Sequence, residues 1–127
     1  MKTIGIVGTR RRNSQEDFLE VEKMFLRFYE IGDVICSGLC PLGADRFAVI
    51  LQEKYNTKYI WFPGYGDKYA KFERNTSIAQ RSDILIARVH PDRKGGTEDT
   101  VKKFLKIHKR PDKLYLVCDK TFIDELF

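Results

Sequence analysis

The sequence predicts an α/β domain, a mostly parallel sheet of about five strands with helices on both faces. Two observations predict it. Short apolar runs, beginning with Thr3-Ile4-Gly5-Ile6-Val7, alternate along the chain with longer segments whose apolar residues recur at helical spacing. Glycine turns follow three of those runs, at Gly8-Thr9-Arg10, at Ser37-Gly38 and at Gly95-Gly96-Thr97. In open parallel sheets such turns share one edge, where ligands bind beyond the carboxyl ends of the strands.

The first run is near-continuously apolar, as a strand buried on both faces is. Asn13 or Ser14 can cap the helix that follows, Glu16-Asp17 sit in its first turn, and Phe18, Val21, Phe25 and Phe28 line one face. Gly32 closes it. Val34-Ile35-Cys36 is the second strand; Gly43-Ala44-Asp45 then opens a helix carrying Phe47, Ala48, Leu51 and Tyr55. Tyr59-Ile60-Trp61-Phe62 is the third strand, ended by Pro63-Gly64-Tyr65-Gly66. Trp61, Tyr65 and Tyr69 form either a wall that stacks a base or an ordinary loop staple. A third helix runs over 68–81, and Asp83-Ile84-Leu85-Ile86-Ala87 is the fourth strand. A basic loop from Arg88 to Gly96 leads into a fourth helix with Val101, Phe104, Leu105 and His108 on its buried face. Pro111 stops that helix, and Lys113-Leu114-Tyr115-Leu116-Val117 is the fifth strand. No repeat or linker interrupts the run, so residues 1–127 are expected to form one domain.

Hydrophobic content of 43% and charged content of 32% belong to a folded globular chain and exclude a disordered one. No apolar run approaches the roughly 18 residues of a membrane span, and Met1-Lys2-Thr3-Ile4-Gly5 has no signal-peptide character, so a cytoplasmic location without membrane contact is expected. Three cysteines without metal-ligand spacing point to reduced thiols and no metal site; no cofactor is expected. Cys36 reads as a core residue and Cys40 as a neighbour of the site. Between Arg88 and Lys113, nine Lys or Arg stand against four acids, a difference of five that equals the net charge of +5. That excess suits nucleotide phosphates or nucleic acid, although Lys102, Lys103, Lys106 and Lys109 also read as a solvated helix face. The full Gly-x-Gly-x-x-Gly fingerprint, the phosphate-binding Gly-x-x-x-x-Gly-Lys-Ser/Thr loop and the Gly-x-Ser-x-Gly elbow are all missing.

Four segments, in order, carry a resemblance: Gly5-Ile6-Val7-Gly8-Thr9-Arg10; Ser37-Gly38 through Pro41-Leu42-Gly43-Ala44-Asp45; Arg74-Asn75 with Ile78-Ala79 and Ser82-Asp83; and Gly95-Gly96-Thr97-Glu98. Over about residues 2 to 110 the chain resembles the SLOG superfamily. That Rossmann-like, three-layer group unites the DNA-processing protein DprA (Smf), the LOG cytokinin-activating enzymes and stand-alone YspA-like domains. The YspA-like branch is the closest in pattern. The resemblance implies a nucleotide-binding domain, commonly a homodimer, that senses nucleotide-derived signals such as ADP-ribose derivatives. The candidate ligand-binding residues are Gly8, Thr9, Arg10, Ser37, Gly38, Gly43, Asp45, Arg74, Asn75, Gly95, Gly96, Thr97 and Glu98. Asp45 reads equally as a ribose-hydroxyl acceptor or as a first-turn acid.

The LOG enzymes imply a sharper alternative, hydrolysis of the N-glycosidic bond of a nucleoside 5′-monophosphate. Arg74 falls at the place of their substrate-binding arginine, and Glu98 or Asp99 would supply the carboxylate that assists cleavage. The chain departs from their Pro-Gly-Gly-x-Gly-Thr-x-x-Glu motif: it has one glycine fewer, and Thr100 stands three residues past Thr97. A shift of one helical position turns a side chain by about 100°, so Glu98 also reads as a plain first-turn acid. DprA implies a third function, single-stranded DNA binding along the basic Arg88–Lys113 region.

Overall fold

The computed structural model describes residues 1–64 and 68–118. Five strands, β1 (Thr3–Gly8), β2 (Val34–Ser37), β3 (Lys58–Trp61), β4 (Ile84–Arg88) and β5 (Leu114–Val117), form one sheet in the order β3-β2-β1-β4-β5. Every pairing is parallel. Four helices alternate with them: α1 (Gln15–Phe28), α2 (Ala44–Tyr55), α3 (Lys68–Arg81) and α4 (Gly96–His108). This is the predicted Rossmann-like three-layer architecture. Strand order reverses between β1 and β4, so the ligand-accepting crevice of such a sheet lies beyond Gly8 and Arg88.

The strands build two cores because successive side chains leave opposite faces. Ile4, Ile6, Ile35 and Ile86 pack with Phe18, Val21 and Phe25 of α1 and Phe47, Ala48 and Leu51 of α2. Val7, Cys36, Leu85 and Ala87 pack with Ile78 and Ala79 of α3 and Val101 and Phe104 of α4. Phe25, Phe47 and Phe104 are completely buried, and truncating any one to Ala would cost about 3–5 kcal/mol.

The strand boundaries differ from expectation by a residue. The third strand is Lys58–Trp61, leaving Phe62 outside it, and the fifth begins at Leu114. Arg88 is the last residue of β4, not the first of a basic loop. Tyr65 and Gly66 of the proline–glycine loop, and the tail after Cys118, lie outside the described residues. Among the described residues, no helix is long and apolar enough to cross a membrane.

The amino-terminal edge of the sheet is tied down by two carboxylates. Asp33 accepts from the Lys2 N–H (2.9 Å), the Lys2 ammonium (2.6 Å) and the Glu30 N–H (2.9 Å), while Asp83 accepts from the Thr3 N–H (2.8 Å). Burial pushes the Asp33 carboxyl up, but these Lys2 and Glu30 donors outweigh it and hold the group below its ordinary value.

Candidate functional site

At the opposite edge a cleft of about 720 Å³ opens over the β1–β4 reversal, within the range of small-molecule sites. Its floor is the end of β1 with the Thr9-Arg10-Arg11 turn, one wall is α3, and the other is the loop before α4 with the first turn of that helix.

The floor is fixed by close backbone approach. The Thr9 N–H donates to the Arg88 carbonyl at 3.0 Å. Gly43, the N-cap of α2, has φ +75°, and a Cβ there would stand 2.6 Å from the Thr9 carbonyl oxygen. Glycine is thus required by both conformation and space. Asn13 does not cap α1; its side-chain oxygen accepts from the Gly43 N–H at 2.8 Å and from Arg46 Nε at 3.0 Å.

The α4 wall ends at a helix terminus that no side chain caps. Gly95 is the N-cap, with φ +110°. The first intrahelical bond, Asp99 N–H to the Gly95 carbonyl, is long at 3.4 Å. The preceding N–H groups of the turn have no intrahelical acceptor and carry the positive end of the helix dipole. Beside them, Arg11 grips Asp92 with two hydrogen bonds of 2.6 and 2.7 Å, tying the β1 turn to the loop after β4. That guanidinium, with the Lys94 N–H, holds the Asp92 carboxyl well below the usual carboxylate range.

On the α3 wall, Lys71, Arg74, Asn75 and Ile78 share one helical face toward the cleft. Asn75 Nδ2 donates to Asp99 Oδ2 at 3.1 Å, and Lys103 pairs with the same oxygen at 2.9 Å, joining α3 to α4. Arg74 differs. It is half-buried, makes no hydrogen bond or ion pair among the described residues, and keeps a fully buried Nε without an acceptor. An unmet buried donor costs about 1–3 kcal/mol, and such a group needs a structural or functional reason.

Nine of the thirteen sequence candidates line the cleft: Gly8, Thr9, Arg10, Asp45, Arg74, Asn75, Gly95, Gly96 and Thr97. Four do not. Ser37 is fully buried and donates to the Ile6 carbonyl (2.6 Å) and Asp45 Oδ1 (3.0 Å). Gly38 packs beside Arg74 and Asp45, and Gly43 packs under Thr9. Glu98 turns away from the cleft into a two-pronged pair with Arg93, and Asp99, one step along the helix, faces the cleft in its place. Asp45 organises the loop after β2: it accepts from Ser37, from the Cys40 N–H at 3.0 Å and from the Gly38 N–H. Burial pushes its carboxyl up against these bonds and the nearby Arg74 charge. The position suits an internal brace better than a ribose acceptor.

Other readings shift with the geometry. Trp61 stacks on Tyr59 at 5.0 Å and packs against the α1–α2 core; among the described residues the aromatic that lines the cleft is Phe72, on which Lys103 sits at 5.2 Å. Tyr69 is exposed, outside the cleft lining, and Tyr65 is not among the described residues. Cys40 lines the cleft, while burial pushes the Cys36 thiol up to about 12, which removes it as a nucleophile. Of the basic Arg88–Lys113 region, Arg88 is buried against Asp17, and Arg93, Lys103 and Arg110 each hold an acid. Sequence reasoning missed Lys71, Phe72 and Lys94 as lining residues. For Lys71 the signal was its spacing to Arg74 and Ile78 along one helix face, and for Lys94 its place directly before the Gly95-Gly96 turn.

No protein-family model matches the chain, and neither a curated protein nor a solved structure matches it.

Proposed function

We propose that the cleft binds a nucleotide or nucleotide-derived ligand, such as a nucleoside phosphate or an ADP-ribose derivative, and that the domain is a sensor or binding module. The observation that carries this reading is the Arg74 guanidinium, which makes no hydrogen bond or ion pair among the described residues and lines, with the uncapped start of α4, a cleft of nucleotide size. Oriented N–H groups and cations are what a phosphate needs. Arg10 and Lys94 add charge at the rim. The dimer implied by the SLOG resemblance and the cytoplasmic location expected from the sequence belong to this reading.

Thermal shift against AMP, ADP, ATP, NAD and ADP-ribose tests it, with chromatography of each mixture for released base. A ligand at about a hundred times its dissociation constant adds roughly 2.7 kcal/mol to stability. The expected result is a shift without turnover that Arg74→Ala removes; no shift with any of the five sinks the reading. Asp99 favours a second reading, the phosphoribohydrolase, because it puts a carboxylate into the cleft where Glu98 does not. If base is released, Asp99→Asn should abolish release and Glu98→Gln should spare it. Single-stranded DNA binding ranks third, and affinity falling steeply with salt would reveal it.

A further inference from the structure

Arg74 reaches the cleft through a slot between two loops. A Cβ on Gly38, after β2, would stand 2.9 Å from Arg74 Cδ and 3.2 Å from its Nε. A Cβ on Gly64, after β3, would stand 2.9 Å from Arg74 Nη1 and 3.1 Å from Cδ and Cζ. Any side chain at either position would occupy space the guanidinium now fills. Neither glycine lines the cleft, so neither is placed to bind a ligand itself. Neither has the positive φ that would otherwise call for glycine.

We propose that Gly38 and Gly64 are specificity-determining residues, forming a slot that fixes the direction of the Arg74 guanidinium so that the cleft selects a phosphoryl group presenting two oxygens to one arginine edge. This rests on the nucleotide reading above. Nε is covered and has no acceptor, and neither Nη1 nor Nη2 makes a hydrogen bond within the described residues. The end-on fork is therefore the edge left to a ligand. A planar fork held in one orientation recognises paired oxygens, which a lysine, a point charge on a flexible stem, does not reproduce. The slot also separates this arginine from Arg11, whose fork Asp92 already fills.

Two measurements test the slot and the ligand class separately. Without ligand, side-chain NMR follows the Arg74 Nε–H, identified as the cross-peak missing in Arg74→Lys. Its exchange with solvent should be at least tenfold slower than that of the exposed Arg81, and Gly64→Ala should abolish the protection. With 5′-AMP, ADP-ribose and inorganic phosphate at constant ionic strength, Arg74→Lys should weaken binding at least tenfold, and Gly64→Ala should match it. Gly64→Ala is the primary variant because the three atoms nearest its Cβ all belong to Arg74; at Gly38 a Cβ also meets Asp45 Oδ2 at 2.9 Å, and folding there is checked by circular dichroism. An Arg74 Nε–H exchanging as fast as that of Arg81, or nucleotide affinity unchanged in Arg74→Lys or Gly64→Ala, overturns the slot. Protection of the Nε–H with no binding of any of the three probes to the wild type supports the slot and overturns both the phosphoryl selectivity and the nucleotide reading.

Discussion

Helices α1 and α4 begin beyond adjacent strands at the middle of the sheet, yet their amino termini are treated in opposite ways. At α1 the protein supplies its own anion. Ser14 Oγ accepts from the Asp17 N–H at 3.1 Å, Asp17 accepts from the Ser14 N–H at 3.1 Å, and the same carboxylate takes the buried Arg88 at 2.8 Å. At α4 the cap is Gly95, which offers no side-chain oxygen, and of the two first-turn acids Glu98 is drawn off by Arg93 and Asp99 pairs with Asn75 and Lys103. In dinucleotide-binding sheets the phosphates sit at the first helix; here that pole is filled and the fourth helix carries the open one. A closed pole stabilises the fold, whereas an open one leaves donors for a ligand.

The largest expected effect comes from emptying the closed pole. Asp17→Ala removes the capping box and strands Arg88, whose Nη1 still bonds the Val89 and Val117 carbonyls (2.8 and 3.0 Å) while its charge stays buried. Breaking a buried pair from one side costs about 3–5 kcal/mol, so urea unfolding should show a loss of that size. An unchanged midpoint would mean that the pair adds nothing. The same carboxylate sets an acid limb. Burial pushes the Asp17 carboxyl up, but the Ser14 N–H and hydroxyl and the Arg88 charge outweigh it and lower the folded value. Its contribution is therefore complete above the unfolded value, about 4, and is lost as pH falls through the folded one. The gap between wild type and Asp17→Asn should close on acidification below pH about 4; a gap that widens there would reverse the sign.

The next effect lies where the two regions meet. Gly43→Ala forces a side chain into the Thr9 carbonyl at a positive φ, and such strain costs about 1–3 kcal/mol. Because Thr9 is in the cleft floor, any ligand should also bind more weakly. Stability lost with ligand affinity intact would separate the turn from the site. This residue also marks the limit of what the sequence discloses. The five apolar runs, the helical spacing and the glycine turns are local patterns, and they located the sheet and its open edge; among the nine lining residues, Arg74 and Asn75 were singled out only by the SLOG resemblance. Contacts between distant residues left no such mark. Arg88 reads as part of a basic loop because its partner Asp17 is 71 positions away. Ser37 and Gly43 read as ligand contacts because their true neighbours, Ile6 and Thr9, belong to another strand and its turn. Glu98 and Asp99 could not be ranked from a motif that is one glycine short, since about 100° of helical rotation decides which one faces inward.

The smallest effect on stability makes the sharpest test of the comparison, because it converts the open pole toward the closed one. Thr97→Asp places a carboxylate in the first turn of α4, among N–H groups that lack intrahelical acceptors. An acid there stabilises a helix by about 0.3–1 kcal/mol. It also puts negative charge on the cleft wall, where Thr97 already lies. Thr97→Asp should therefore raise or preserve the thermal midpoint while weakening nucleotide binding, and Thr97→Asn should leave both near wild type. A ligand held by the α4 pole has to respond in opposite directions in the two measurements. Binding that survives Thr97→Asp but is lost in Arg74→Ala would move the phosphate off the helix terminus and onto the α3 wall. The open pole would then be a consequence of the missing third glycine and not the reason for the site.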